Sequence, residues 1–473
     1  MEKTNFLKNK KVTVMGLGVN RGGLGVTRFL AQSEANVLVT DLKREYELKS
    51  TLDELKEYRN IEYVLGEHRI QDFINSDMII QNPAVPRNSK YLLVAKECGI
   101  PIETDLSLFL RVCPSSNLIA VGGTKGKSTV TNLIYHTFCQ AEKDIVQAGN
   151  IGISVFEVLP DIKPDTIVVL EISSWQLEGL AQTQISFQPH IAVLTNILAD
   201  HLDRYDSFND YDASEKLIYK NMGQSDYLIT NLDNPVIKSI ESDQDTSANI
   251  YWFSTRNKVP RGSYLEEDRL FFKSGNRVTE FCSIKDIPLP GIHNISNILA
   301  ASIVFFINDL PLPLIRNGIK TFSGIANRLE KIRTLRGINF YNDTCATTPD
   351  ATIAAINSFS TEPLILILGG GDKKLDYREL CEVLKEKSNI IYTIILQHPA
   401  YNASEIILTQ LKELGLSNKM EICSSMSGAI DVAYQKAIAG VNIILSPAAT
   451  SFGMFSNEFE RGSVFRQAVD ELV

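Results

Sequence analysis

Short runs of Val, Ile and Leu recur along the chain, each followed by a polar-patterned stretch of helical length. Val12–Met15, Val37–Thr40, Met78–Ile80, Leu118–Val121, Ile167–Leu170, Ile191–Leu194, Leu364–Leu368, Ile390–Ile395 and Ile443–Leu445 are the candidate strands. The runs are apolar throughout rather than alternating, which is the signature of strands covered on both faces. Strands of that kind separated by helices imply parallel sheets. The spacing predicts an α/β chain of three consecutive units, 1–113, 114–323 and 324–473, with boundaries in turn-forming stretches near Pro114 and Gly324. Residues 250–290 break the pattern. Tyr251, Phe253, Tyr264, Leu270–Phe272 and Phe281 sit there among polar residues and glycines, which predicts a small antiparallel insert.

Composition narrows the class. The chain has 473 residues, 44% hydrophobic and 22% charged, with a net charge of −9. Each unit is large enough to bury its own core. The acidic balance, with no Lys/Arg patch interleaved with aromatics, argues against a nucleic-acid partner. No apolar run is long enough to cross a bilayer, and the first residues lack the apolar centre of a signal peptide, so a membrane partner is not expected. The seven cysteines are scattered and form no C-x-x-C pair, which suits a reducing cytoplasm and argues against structural zinc.

The chemistry begins at Val121-Gly-Gly-Thr-Lys-Gly-Lys-Ser-Thr129, directly after an apolar run. A strand delivers a Gly-rich turn and a helix follows, so backbone N–H groups and a helix N-terminus surround phosphate oxygens. Gly123, Thr124, Lys125, Gly126, Lys127, Ser128 and Thr129 are therefore the expected ATP-binding loop. Lys127 reaches the terminal phosphates, and the Ser128 hydroxyl is a ligand for Mg²⁺. The leading position is Val121 rather than the glycine of the common form of the motif. In the first unit Gly16-Leu-Gly18 and Gly22-Gly-Leu-Gly25 precede Thr40-Asp41. That is a dinucleotide fingerprint with extra residues in the turn. A dinucleotide site with Asp41 on a ribose, a nucleotide-diphosphate site, and a tight packing turn are all consistent with it.

Behind the loop come Gly149-Asn150-Ile-Gly152, Leu170-Glu171-Ile-Ser-Ser-Trp-Gln-Leu-Glu178 and Asp200-His201-Leu-Asp-Arg-Tyr205. Glu171 and His201 follow apolar strands, where carboxylate and imidazole can complete the coordination that Ser128 begins. This ordered set resembles the Mur ligases, nearest their glutamate-adding branch. The resemblance continues through Leu289-Pro-Gly-Ile-His-Asn294, Asn297, Asn327-Arg328, Asn342-Asp-Thr-Cys-Ala-Thr347, Gly369-Gly-Gly-Asp-Lys373 and Leu445-Ser-Pro-Ala-Ala-Thr-Ser451, across the whole chain.

The resemblance implies a Rossmann-like N-terminal domain for a UDP-sugar, a central P-loop ATPase and a Rossmann-like C-terminal domain for an amino acid. It implies ATP-dependent ligation of D-glutamate to UDP-N-acetylmuramoyl-L-alanine through an acyl phosphate, with two Mg²⁺ ions, in a cytoplasmic monomer. It further implies that Lys127, Glu171, His201 and Glu215 carry the catalysis. Ser128, Glu171, His201 and Glu215 would hold metal. Asn294, Asn297, Arg328 and Asp343 would join the loop on ATP. Gly18, Asp41, Asn82 and Asn150 would take the UDP-sugar, and Thr347, Lys373, Ser451 and Phe459 the glutamate.

The chain departs from the family in places. Where relatives carry a carbamylated lysine in the helix after Asp-Arg-Tyr205, the register counted from Phe208 and Tyr211 falls on Glu215, with Lys216 beside it. Glu215 brings its own carboxylate, and a one-residue shift would present Lys216 instead. Cys345 stands where many relatives have Lys, Ala84 where a glycine is usual, and Glu458-Phe459 where Phe often comes one position earlier. Cys345 is expected to be a packed thiol. Alternatives are the same ligation with L-glutamate, a folylpolyglutamate-synthase-like ligase, a non-catalytic homologue, and an oxidoreductase built on residues 12–41. The last leaves every later motif unexplained.

Overall fold

The computed structural model describes residues 2–18, 21–86, 88–198, 205, 207–237, 246–359, 362–372 and 375–473. Three sheets follow one another along the chain. The first contains β1 (Lys11–Met15), β2 (Asn36–Asp41), β3 (Ile61–Leu65), β4 (Met78–Gln81) and β5 (Ile102–Thr104). All pairs are parallel, in the order β3-β2-β1-β4-β5. The direction of winding reverses beside β1, and ligands of open α/β sheets settle at such a reversal.

The second sheet contains β6 (Leu118–Gly122), β7 (Ile145–Gly149), β8 (Ile167–Glu171), β9 (Ile191–Leu194), β10 (Tyr227–Asn231), β11 (Asn249–Ser254), β12 (Gly262–Glu266), β13 (Arg269–Ser274) and β14 (Arg277–Ser283). Its order is β14-β13-β12-β11-β10-β9-β6-β8-β7. Every residue of β6, β8 and β9 is buried, which is why their sequences are apolar without alternation. The 250–290 region corrects the sequence expectation. It is no separate insert but the outer part of this sheet, and β11 and β12 both pair in parallel. Only β12–β13 and β13–β14 are antiparallel. Gly262, at φ +126°, opens β12 where any Cβ would strike the Trp252 carbonyl.

The third sheet contains β15 (Glu330–Leu335), β16 (Ile338–Asn342), β17 (Leu364–Leu368), β18 (Ile391–Leu396), β19 (Met420–Cys423) and β20 (Asn442–Leu445), in the order β15-β16-β20-β17-β18-β19. β15 and β16 form a hairpin closed by Arg336 (φ +50°) and Gly337 (φ +80°), the left-handed pair that a two-residue hairpin turn requires. The side chains of β17 divide by parity. Leu364, Leu366 and Leu368 join the core of Tyr341, Tyr377 and Leu380, whereas Ile365 and Ile367 join that of Phe340, Ile443 and Phe465.

The first two sheets share one compact unit, Met1–Asp286 with Ile295–Lys320. The third has its own, Ile287–Asn294 with Thr321–Val473. Within the first unit the helix Arg21–Gln32 lies against the segment after β7. A Cβ on Gly25 would strike the Ser154 hydroxyl, and Arg21 pairs with Glu157. Among the described residues no helix is long and apolar enough to cross a membrane.

Candidate active site

β6 ends at Gly122, and residues 123–126 separate it from the helix Lys127–Gln140. The intervening turn works because Gly123 (φ +109°) and Gly126 (φ +91°) adopt left-handed conformations. A Cβ on Gly123 would strike Thr195, and one on Gly126 would strike Asn297. Among the described residues no side chain caps the helix N-terminus, the kind of end that receives an anion. The rest of the loop is heavily tied. Asn196 accepts the Lys125 N–H on Oδ1 (2.9 Å), donates from Nδ2 to the Lys125 carbonyl (2.9 Å), and accepts the Thr124 N–H on its own carbonyl (2.8 Å). The Thr124 hydroxyl meets the Tyr211 hydroxyl at 2.8 Å and accepts the Leu198 N–H at 2.9 Å. Lys127 Nζ donates to the carbonyls of Gly123 (2.6 Å) and Thr124 (2.9 Å).

Glu215 is the buried partner of this loop. It is 1% exposed, accepts the Gly123 N–H on Oε2 (3.1 Å), and accepts the Tyr211 hydroxyl on Oε1 (2.8 Å). Lys216 turns to the other side of the helix Phe208–Lys216 and pairs with Asp212 at 2.9 Å. Tyr211 is a residue that sequence reading overlooked as functional, although a Tyr four positions before a Glu on one helix face was a signal for it.

Glu171 ends β8, in register with Val121 of β6, and is 2% exposed. Its Oε1 accepts the Asn150 amide (3.0 Å), and among the described residues its Oε2 has no hydrogen-bond partner. A buried carboxylate oxygen without a donor is an unfilled electrostatic demand. A hard cation such as Mg²⁺, which takes carboxylate, hydroxyl and water oxygens, would meet it. Among the described residues no three His, Cys, Asp or Glu side chains gather as a metal cluster. His201 and Lys373 lie outside the described residues.

At the edge of the first sheet, Asp41 is 7% exposed and spends both oxygens on backbone. Oδ2 accepts the Gly18 N–H and Oδ1 the Lys43 N–H, each at 2.9 Å. Its carboxylate therefore shapes the glycine turn. Asn82 likewise bonds the Gly16 carbonyl (3.1 Å) and the Ala84 N–H (3.0 Å).

In the second unit, Asp343 follows β16 and accepts the Leu329 N–H (3.0 Å) and the Ser446 hydroxyl (2.8 Å). Burial lifts its carboxyl from the ordinary 3.8 to about 7, against the pull of those two donors and of Arg328. Because the folded value lies above the unfolded one, the stabilisation is complete below about pH 4 and is lost as pH rises through about 7. Asp343→Asn is expected to flatten the fall in stability over that window, read as the denaturation midpoint against pH.

Asn294 donates to the Pro290 carbonyl (2.7 Å). Ser451 is 1% exposed and its hydroxyl has no partner among the described residues, while Phe459 is 57% exposed. Thr347 lies partly buried on the same loop as Asp343. Burial raises the Cys345 thiol, so it is held protonated, as a packed thiol should be. Arg461, absent from the sequence-derived set, is fully buried. It donates to the Thr344 hydroxyl (3.0 Å) and carbonyl (2.9 Å) and to the Ala449 carbonyl (3.1 Å), clamping the loops after β16 and β20 together. Burial lowers its guanidinium to about 10. Arg461→Leu leaves buried acceptors unsatisfied and should cost about 3 kcal/mol of stability, measured by urea denaturation.

With this geometry in place, three family models match in chain order. They are "Mur ligase MurD-like, N-terminal domain" over residues 10–104, "Mur ligase middle domain" over 121–305, and "Mur ligase, glutamate ligase domain" over 327–449. A UDP-N-acetylmuramoylalanine--D-glutamate ligase of Roseiflexus sp. (strain RS-1) is 37% identical over 474 residues, 98% of this chain and 99% of its own. One from Acetivibrio thermocellus is 34% identical, covering 98% and 97%. The crystal structure of the UDP-N-acetylmuramate-alanine ligase MurC from Thermotoga maritima shares the fold, with a TM-score of 0.59 at 18% identity over 98% of this chain and 99% of that one. Matched end to end by such relatives, and in all three sheets by the family's own models, the chain belongs to the Mur ligase family.

Proposed function

We propose that this chain joins D-glutamate to UDP-N-acetylmuramoyl-L-alanine at the expense of ATP, in the synthesis of peptidoglycan precursor, as a cytoplasmic monomer. The relatives' names supply the substrates. The observation that carries the chemistry is the Glu171 oxygen without a partner among the described residues, on the strand beside the phosphate loop. A carboxylate is a poor acyl donor, so the alanyl carboxylate first attacks the γ-phosphate and ADP leaves. The amine of glutamate then attacks the acyl phosphate carbon, and phosphate departs from the tetrahedral intermediate.

In this reading residues 1–113 take the UDP-sugar through Gly18, Asp41 and Asn82, joined by Asn150, and residues 114–323 take the nucleotide. Lys127 leaves its two loop carbonyls for the transferring phosphoryl oxygens, where its charge counts most. Gly123, Thr124, Lys125, Gly126, Ser128 and Thr129 wrap the phosphates, and Asn297 buttresses Gly126. Ser128, Glu171, His201 and Glu215 are the groups that would hold Mg²⁺, which supplies charge neutralisation between phosphate oxygens. Residues 324–473 are proposed to carry Arg328 and Asp343 for the nucleotide and Thr347, Lys373, Ser451 and Phe459 for glutamate, with Asn294 of the preceding segment on the adenine.

The test is phosphate release with UDP-N-acetylmuramoyl-L-alanine and each glutamate enantiomer separately. Release is expected only when D-glutamate is present. Release with L-glutamate alone reverses the stereochemical assignment, and release with neither removes the ligase reading.

A further inference from the structure

We propose that the first compact unit carries a second small-molecule site, which takes a medium-chain acyl carboxylate. It lies between the last turn of the helix Ser174–Ala181 and the residues that follow the helix Phe208–Lys216. A cavity of about 280 Å³ opens there. That volume lies just below the range of drug-sized sites, which suits a short chain better than a nucleotide. No residue of the phosphate loop lines it, and the site does not depend on the ligase reading above.

The floor of the cavity is apolar. Leu177 and Leu180, three residues apart on one face of their helix, are buried there, and Phe187 closes the bottom from the following loop. Leu217, just beyond the second helix, completes the wall. Two polar side chains near the floor already have partners. The Thr183 hydroxyl donates to the Leu180 carbonyl (2.8 Å), and the Asn221 amide donates to the Phe187 carbonyl (3.2 Å). The floor therefore suits a hydrocarbon and has little with which to recognise the heteroatoms of a base or a sugar.

The rim has the opposite character. Gln184, Ser186 and Lys220 stand exposed around the opening, and each carries a hydrogen-bond donor. Among the described residues their side chains have no hydrogen-bond or ion-pair partner. Lys216, four residues before Lys220, is by contrast held by Asp212 at 2.9 Å. Among the described residues no Asp or Glu lines the cavity, so Lys220 is its one formal charge. A hydrocarbon floor beneath an unmatched cation and two neutral donors is complementary to an acyl chain that ends in a carboxylate.

The experiment is equilibrium dialysis of radiolabelled octanoate against the full chain, with unlabelled octanoate, octanamide and hexanoate as competitors. One octanoate should bind per chain. Octanamide, which keeps the chain but not the charge, should compete about fivefold less well, the upper worth of an ion pair at an open rim. Hexanoate should compete about fifteenfold less well, because each methylene withdrawn from water contributes about fourfold. Lys220→Gln should erase the preference for the acid over the amide. Ala181→Trp, which fills the cavity from an exposed position, should abolish binding. Absence of saturable binding, equal competition by the amide, or displacement by saturating ATP overturns the site on the unaltered chain alone, whether or not a variant folds. So does a folded Ala181→Trp chain that still binds octanoate, or a Lys220→Gln chain that still prefers the acid.

Discussion

Lys127→Ala should slow phosphate release by at least ~10²-fold while leaving the fold intact. The side chain sits in the first turn of the helix Lys127–Gln140, where alanine is well tolerated, and it donates to the Gly123 and Thr124 carbonyls. Those carbonyls belong to a loop anchored independently through Asn196, Tyr211 and Glu215. What alanine removes is the mobile cation that offsets charge gathering on the transferring phosphoryl group. Measuring ATP turnover with both other substrates saturating, alongside circular dichroism of the variant, separates lost chemistry from lost structure. Turnover within a few-fold of the parent would show that this loop is not where phosphoryl transfer happens.

The paired substitutions Glu215→Gln and Lys216→Ala should diverge by about two orders of magnitude in activity. Glutamine can keep the local bonds, since its oxygen accepts the Gly123 N–H. Its amide can donate to Tyr211, whose own proton then turns to Thr124. Only the negative charge is lost, and with it the attraction for a divalent cation, so the Mg²⁺ requirement should rise steeply. Lys216→Ala gives up a largely buried pair with Asp212, about 100° around the helix from Glu215, so it should cost stability while leaving the activity of the folded variant nearly unchanged. Activity should also be indifferent to added bicarbonate, because the Glu215 carboxylate is permanent. An inactive Lys216→Ala that short-chain acids restore, beside a healthy Glu215→Gln, would transfer the role to Lys216.

The strand cores were legible because β6, β8, β9 and β17 are buried on both faces and so wrote uninterrupted apolar runs into the chain. The phosphate turn was legible because its glycines are conformationally required. The outer part of the second sheet was not. β11 to β14 are only partly buried and mix polar with apolar residues, and the parallel pairing of β12 with β11 follows a connection of only residues 255–261, which pattern alone would not suggest. That Asp41 also shapes the glycine turn, through the Gly18 and Lys43 N–H groups, depends on loop geometry and was not legible. Arg461 was silent because a buried guanidinium bonded to carbonyls leaves no trace in spacing. The register of Glu215 over Lys216, by contrast, followed from counting helix positions from Phe208 and Tyr211, and burial places Glu215 on the inward face as that count requires.

The lattice of bonds around residues 122–127 has a thermodynamic consequence. A phosphate-binding turn that had to be ordered on contact would forfeit about 1–2 kcal/mol per residue in conformational entropy. Here Asn196, Thr195, Tyr211 and Glu215 have already removed that freedom during folding. An anion arriving at this turn therefore meets a rigid host, and the lysine side chain is the chief part left to rearrange. Binding should show little of the unfavourable entropy that accompanies disorder-to-order transitions. The backbone amides of Gly123, Thr124 and Lys125, which are bonded within the protein, should be slow to exchange with solvent deuterium before any nucleotide is added, and scarcely slower afterwards.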